Sequence, residues 1–238
     1  MKIIQCWDDG VTDDIRLMEI FRRHGARATF NLNFGRHEKE RKSWPNLFRG
    51  TKVVSKLALG ELVDVYRDFP VANHTLTHPW LTRIPTAEAA EEIRKGKDAL
   101  EQLFGREIPG FAYPFGDYNP EVMQLVRDAG HSYARTVVKQ SPSFPPEDSM
   151  AFHPDCHFLA DNFWSLFEQA KADERVFYFW GHSYELVTEE DWNSFEEKIA
   201  RLSNDPAVEW EDIADLAGTI DTTEGISPDA LRKPGRSG

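Results

Sequence analysis

Lys2-Ile3-Ile4-Gln5-Cys6-Trp7-Asp8-Asp9-Gly10 is the stretch on which the reading of this chain turns. An apolar run ends in two adjacent carboxylates and a glycine. The run predicts a first β-strand, and Gly10 the turn that ends it. Neighbouring residues on a strand point to opposite faces, but at a frayed strand end both can be turned toward one site. Two carboxylates side by side shift each other's pKa, so a compensating cation is expected nearby. On these residues alone an acidic turn, with Asp13 and Asp14 as N-terminal helix charges, outweighs a reactive pair. The rest of the chain decides between the two.

The 238 residues suit one α/β domain with a core that needs no disulfide staples. A formal net charge of -12 argues against nucleic acid and anionic membrane as primary partners, because no basic surplus exists to neutralise phosphates. Two cysteines, Cys6 and Cys156, make no disulfide framework and suit a reducing compartment. Asp8 and Asp9 interrupt any secretion-type N-terminus, and no apolar run reaches membrane-spanning length. A cytoplasmic location is the expectation.

Outward from Gly10, strand-like and helix-like segments alternate. Thr12 to His24 has the apolar spacing of an amphipathic helix that stops before Gly25. Arg27 to Asn33 reads as a second strand, and 34–52 as a long surface insertion of the kind that shapes a binding site. Gly60 to Phe69 predicts a helix and Pro70 to His74 a strand. Thr86 to Phe104 is a helix with Thr86 as N-cap and Gly105 past its end. Gly110 to Phe115 is a strand, and Asn119-Pro120 opens a helix that stops at Gly130. His131 to Val138 is a strand, 140–149 a proline-marked loop, Met150 to His157 a strand and Asn162 to Ala172 a helix. Val176 to Trp180 is a strongly apolar strand, and Asp191 to Leu202 a helix capped by Thr188. Val208 to Ile220 supplies a last strand and helix. The expected domain is 1–220, with a loose polar tail over 221–238. Six or seven strand–helix units imply a parallel sheet or closed βα barrel, whose chemistry gathers at strand C-termini.

Reactive residues recur at those ends. Asp8 and Asp9 follow the first strand, and His74 and His78 a later one. Tyr113-Pro114-Phe115-Gly116-Asp117 follows another. His153, Asp155, Cys156 and His157 close a sixth, and His182 follows the apolar VFYFW strand. Five of the eight histidines sit at such ends, which a scatter of surface histidines would not do. His74 and His78, four apart, would share one face of a helical turn and could share a metal. With one carboxylate they make a two-nitrogen, one-oxygen set that suits catalytic zinc and, equally, non-haem iron. Asp9 is the ligand candidate and Asp8 a free carboxylate able to act as base. His182 is either an acid or a hydrogen-bonded core histidine.

In this order the motifs resemble the polysaccharide deacetylases of the NodB-homology type, over about residues 1 to 190. The matches are Trp7-Asp8-Asp9-Gly10, Asn73 with His74-Thr75-Leu76-Thr77-His78, Pro114-Phe115-Gly116, and His182 closing an apolar strand. The resemblance implies an α/β fold, a distorted (β/α)7 barrel of one domain. It implies a divalent metal on Asp9, His74 and His78, zinc first, with Co, Ni, Mn or Fe as alternatives. Asp8 would be the base and His182 the acid, and the reaction hydrolytic removal of acetyl from an amino sugar. A cytoplasmic enzyme would act on a small or soluble acetylated carbohydrate. Tyr113, Pro114, Phe115, Gly116 and Trp80 become substrate-binding candidates, and Trp7, Tyr118, Trp180 and Tyr184 further aromatic ones, with barrel core preferred for Trp180.

Three departures stand out. The place where such enzymes carry an arginine that orients the base holds Ala112. Gly181 replaces a residue expected to line an acetyl pocket. The fourth motif is absent, and His153-Pro154-Asp155-Cys156-His157 stands near its place. Asp155 or Glu185 could orient His182, and His157 could approach the metal; packing of a loop is the competing reading for each. Two further functions stay open: hydrolysis of a non-sugar amide such as a cyclic ureide, and a metal-binding pseudo-enzyme.

Overall fold

The computed structural model describes residues 1–46, 52–138 and 146–221. In chain order the strands are β1 (Lys2–Asp8), β2 (Thr29–Leu32), β3 (Ser43–Asn46), β4 (Lys52–Ser55), β5 (Val71–Asn73), β6 (Gly110–Ala112), β7 (Tyr133–Arg135), β8 (Cys156–His157), β9 (Phe177–Gly181) and β10 (Glu209–Trp210). The helices are α1 (Asp13–His24), α2 (Leu62–Val65), α3 (Thr86–Phe104), α4 (Pro120–Asp128), α5 (Phe163–Ala172), α6 (Glu189–Ser203) and α7 (Ile213–Asp221).

Seven strands run in the order β7-β6-β5-β2-β1-β9-β8, every neighbouring pair parallel, with β10 added beside β1. A bridge from Arg135 to Phe152, just ahead of β8, joins the two ends of the row. The result is a distorted (β/α)7 barrel, as expected. β1 lies at its centre, covered on both faces, which is why Ile3, Ile4, Cys6 and Trp7 form a continuous buried run. Trp7 packs on Phe158 and Phe195, and Phe21 on Phe30 and Phe69, between the sheet and its helices. Trp7 is therefore core and not a sugar contact. Cys6 and Cys156 are not joined in a disulfide. No helix among the described residues is long and apolar enough to cross a membrane.

Local chemistry sets most helix ends. Gly25 and Gly105 close α1 and α3 in the left-handed conformation, Asn119 caps α4 through Val122, and Thr188 and Asp191 form a capping box on α6. Thr86 is not a cap: its hydroxyl donates to Glu121 at 2.8 Å, and Pro85 stands at the N-cap position. The predicted helix over 60–69 shrinks to a 3-10 turn and one turn of α2, because the chain folds back at Tyr66 and Phe69. The strand expected over 131–138 narrows to β7, and that over 150–157 to β8, where Pro154 has no N–H to offer a ladder. The insertion expected over 34–52 holds β3, which pairs antiparallel with β4 just past its end, and β4 leads to a Val11–Lys56 bridge to the turn after β1; residues 47–51 of it lie outside the described residues. Residues 139–145 of the proline-marked loop and 222–238 of the tail lie outside the described residues.

Candidate active site

Asp8 ends β1 and is buried; Asp9 takes φ 85°, a left-handed turn rare for a residue with a side chain. That turn brings both carboxylates to one site: His182 Nε2 lies 3.9 Å from Asp8 Oδ2 and 3.9 Å from Asp9 Oδ2. Gly10 follows at φ 67°, where a Cβ would meet the His37 ring at 2.7 Å. Sequence reasoning missed how the pair is compensated. Arg135 donates through Nη2 to both oxygens of Asp8, and Asn31 Nδ2 donates to Oδ1 at 2.7 Å. Burial disfavours the Asp8 anion, but Arg135, His74 and His182 outweigh it and hold its pKa at about 2. The arginine absent at Ala112 is thus present one strand over, since Ala112 and Arg135 are register partners on β6 and β7.

Asp9 has separate support. Asn33 Nδ2 donates to its Oδ1 at 2.7 Å, and the buried Lys56 ammonium sits on its backbone carbonyl, with Asn33 Oδ1 at 2.6 Å. Burial opposes ionisation, yet Lys56 and three histidines pull its pKa well below the usual carboxylate range. The sequence reading missed Asn31 and Asn33, although their alternation, on β2 and just past its end, is the signal that could have found them; Lys56, just after β4, carried no signal of its own.

His74 and His78 do meet, but not on a helical turn. They lie in the loop after β5, where Thr75 and His78 both have positive φ. His78 N–H donates to Thr75 Oγ1 at 2.9 Å, and the two Nε2 atoms stand 3.1 Å apart. His74 Nδ1 lies 2.7 Å from the Ala112 carbonyl, which can only accept. That bond fixes the tautomer and leaves a lone pair on Nε2. Burial lowers the pKa of both rings, that of His78 to about 3 with help from the neighbouring His74. Neutral imidazoles beside an ionised carboxylate are the protonation states a divalent cation requires. Ligand atoms of Asp9, His74 and His78 all lie within 4.8 Å of one another.

Among the candidates for orienting His182, the geometry selects Glu185. Its Oε2 lies 3.4 Å from His182 Nδ1, accepts from the His182 backbone N–H at 3.0 Å, and pairs with His157 Nε2 at 2.8 Å. The Nδ1 contact is electrostatic rather than an aligned hydrogen bond. Burial works against the His182 cation, but Glu185, Asp8 and Asp9 outweigh it and raise its pKa. Asp155 is turned away: it pairs with Arg175 at 2.7 Å and accepts from Tyr178 N–H, so it holds the strand and not His182. His157 belongs to the Glu185 pair rather than to the Asp9, His74 and His78 cluster. His153 is tied to Thr136 at 2.6 Å.

The substrate candidates divide in the same way. Tyr113 is buried with its hydroxyl on Met150 O, and Pro114 is buried beside it, so neither side chain faces the cavity. Phe115 is exposed, with its ring edge-on to His78 at 4.5 Å and stacked on exposed Trp80 at 4.1 Å. Gly116 is needed for its turn, since a Cβ would lie 2.1 Å from Val137. Trp180 packs between Arg135 and His157, and Tyr118 on Tyr113. Tyr184 OH reaches Asp9 Oδ2 at 3.4 Å. Gly181 opens no pocket: Phe158 fills its place, 2.1 Å from where a Cβ would stand. A cavity of about 250 Å³ opens on Asp9 and His78, walled by Phe115, Tyr184, Trp44 and Arg36.

The model of the family described as polysaccharide deacetylase matches residues 1–134. No curated protein matches the chain. Among solved structures it is similar to the xylanase CE4 domain from the hindgut metagenome of Trinervitermes trinervoides, with 14% identity over 92% of this chain and 91% of that one and a TM-score of 0.58. It is similar to the Streptococcus pyogenes deacetylase PplD in complex with acetate, with 21% identity over 62% of this chain and a TM-score of 0.52; the match spans 61% of that protein's length. A mutant CE4 family pseudoenzyme with restored enzymatic activity matches at 17% identity over 91% of this chain and 67% of that one, with a TM-score of 0.56. At these identities the likeness is one of fold.

Proposed function

Because the chain belongs to the polysaccharide deacetylase family, we propose that it hydrolyses the acetyl amide of an N-acetylated carbohydrate with a divalent metal held by Asp9, His74 and His78. The observation that carries this reading is the pair of Nε2 atoms 3.1 Å apart, one with its lone pair fixed outward by Ala112, within ligand distance of Asp9. Two imidazole nitrogens and a carboxylate oxygen suit zinc, with Co, Ni, Mn and Fe as alternatives. The metal would supply an acidified water and a polarised acetyl carbonyl.

The chain's own residues supply the proton transfers. Asp8, ionised and gripped by Arg135, takes a proton from the attacking water. As the carbon–nitrogen bond breaks, His182 gives its proton to the departing sugar amine, leaving acetate. Glu185 holds His182 in the protonated form from the Nδ1 side. The exposed Phe115 ring beside His78, backed by Trp80, offers an apolar contact for a sugar, while the faces of Trp80 itself are taken by Phe115 and Arg83. The cavity, about 250 Å³, has room for a small or soluble substrate. The same compactness favours, as a second reading, a non-sugar amide such as a cyclic ureide. The pseudo-enzyme alternative leaned on Ala112 and on the absent fourth motif; Arg135 against Asp8 answers the first and speaks for turnover.

The test is metal content together with acetate release from a panel of acetylated sugars. Asp8→Asn and His182→Ala are each expected to lower kcat by about 10²- to 10⁴-fold. His74→Ala with His78→Ala is expected to abolish metal binding. Metal-loaded protein that frees acetate from no sugar, or a double variant that keeps its metal, overturns the reading.

A further inference from the structure

We infer that Arg36 anchors an anion subsite, so that the acetylated substrate carries a carboxylate or phosphate on the side of the sugar away from the metal ligands. The inference deepens the deacetylase reading and rests on it for the nature of the reaction.

Arg36 sets itself apart by what it does not touch. The chain holds 28 Lys and Arg against 40 Asp and Glu, and its surface arginines are largely matched. Arg16 grips Glu189, Arg23 Glu196, Arg41 Glu61 and Arg94 Asp98. Among the described residues Arg36 has no carboxylate partner and no side-chain hydrogen bond. Yet it stands at the site, where it lines both the cavity that opens on Asp9 and His78 and an adjoining one of about 380 Å³. Trp44 and Lys56 are shared by the two walls. The other cations there are already answered. Lys56 is held by Asp9 and Asn33, and Lys42 pairs with Glu38 at 2.7 Å.

The backbone beneath Arg36 is fixed. It ends a 3-10 turn, Phe34–Arg36, with its N–H on Asn33 O at 2.9 Å. Gly35 N–H donates to Leu76 O at 2.8 Å, and a Cβ at Gly35 would lie 2.8 Å from that oxygen. The turn is therefore docked directly on the His74–His78 loop, and the guanidinium is carried on a support that moves with the ligands. A guanidinium fork fits a carboxylate or a phosphate through two parallel bonds. Trp44, half-buried in the same wall, offers an apolar face between the two ends of the substrate. On a protein with a net charge of -12 an anionic substrate is repelled in general, so it needs a local unanswered cation.

The experiment compares acetate release from N-acetylglucosamine, its 1- and 6-phosphates and N-acetylmuramic acid at constant ionic strength. The wild type is expected to favour at least one anionic sugar by about ten-fold in kcat/KM, and Arg36→Gln to bring that ratio to within about two-fold, with partial recovery in Arg36→Lys. Equal turnover of neutral and anionic sugars by the wild type, or a ratio that Arg36→Gln leaves intact, overturns the subsite. If no sugar yields acetate, calorimetric binding of N-acetylglucosamine 6-phosphate and inorganic phosphate separates the two ideas. Binding lost in Arg36→Gln keeps the subsite while the deacetylase reading falls, and binding indifferent to Arg36 removes the subsite as well.

Discussion

Asp8 and Arg135 form a buried ion pair whose net value to stability is small but whose disruption is costly. Taking both charges out of water offsets most of their attraction, whereas removing one leaves the other stranded. Arg135 is buried with its Nε and Nη1 unpaired, so it is held for Asp8 and for the Trp180 ring 5.0 Å away. Arg135→Met is expected to cost about 3–5 kcal/mol in urea unfolding, and Asp8→Asn added to it to restore much of that loss. Activity gives a second reading of the same residue. Without the guanidinium the Asp8 pKa rises from about 2, so its basic form is lost at higher pH. The acid limb of kcat/KM in Arg135→Met should then move up in pH; a limb that stays in place removes Arg135 from the role of positioning the base.

At the scale of the elements, the site depends on strand ends that turn out of the regular ladder. Asp9, Thr75, His78 and Phe115 all have positive φ although none is glycine, and all four follow β1, β5 or β6. Such conformations persist only where the surroundings over-determine them. β9 shows the packing side of this constraint. A Cβ on Gly181 would lie 2.1 Å from Phe158 and 3.2 Å from Trp7, so Gly181→Ala must push the Phe158 ring out of the core next to His182. A loss of about 1–3 kcal/mol in a denaturation series is expected, together with lower kcat as His182 shifts. An unchanged midpoint would mean that the core yields there. Helices whose ends are written in adjacent residues were legible, as with the Thr188–Asp191 box and Asn119-Pro120, whereas the helix expected over 60–69 was not. Strands of two or three residues such as β7 and β8 are defined by partners far along the chain, and the sequence overextended both. The same holds for the site. Asp8, Asp9, His74, His78 and His182 were visible as reactive residues at strand ends. Arg135 was not, because its link to Ala112 is a register between two strands, and Lys56 arrives only through a bridge to Val11.

Across the whole molecule, one buried carboxyl ties three separated parts of the barrel together behind the site. Asp14 was read as a helix N-terminal charge, and it does lie in the first turn of α1, but its side chain points inward. Tyr66 OH, just past α2, donates to its Oδ2 at 2.5 Å, and Ser183 Oγ, the neighbour of His182, donates to its Oδ1. Burial lifts its pKa to about 7, against the pull of those two bonds. Below about pH 4 the carboxyl is protonated in both folded and unfolded chains and contributes no pH dependence. Between about pH 4 and 7 the folded state keeps a proton that the unfolded chain releases, so this group lowers stability as pH rises, by up to about 4 kcal/mol in all. His37, His78 and His131 are held neutral by burial, with pKa values of about 4, 3 and 3, and they act in the opposite direction over an overlapping window. The wild-type curve alone therefore mixes the two, and the informative quantity is the difference between Asp14→Asn and wild type, both measured with chelator present. Because the asparagine cannot ionise, the variant should gain on the wild type from about pH 4 to about pH 7 and level off above it. A difference that is flat across that range would mean that Asp14 is ionised in the folded protein, with Tyr66 and Ser183 sufficient to carry its charge.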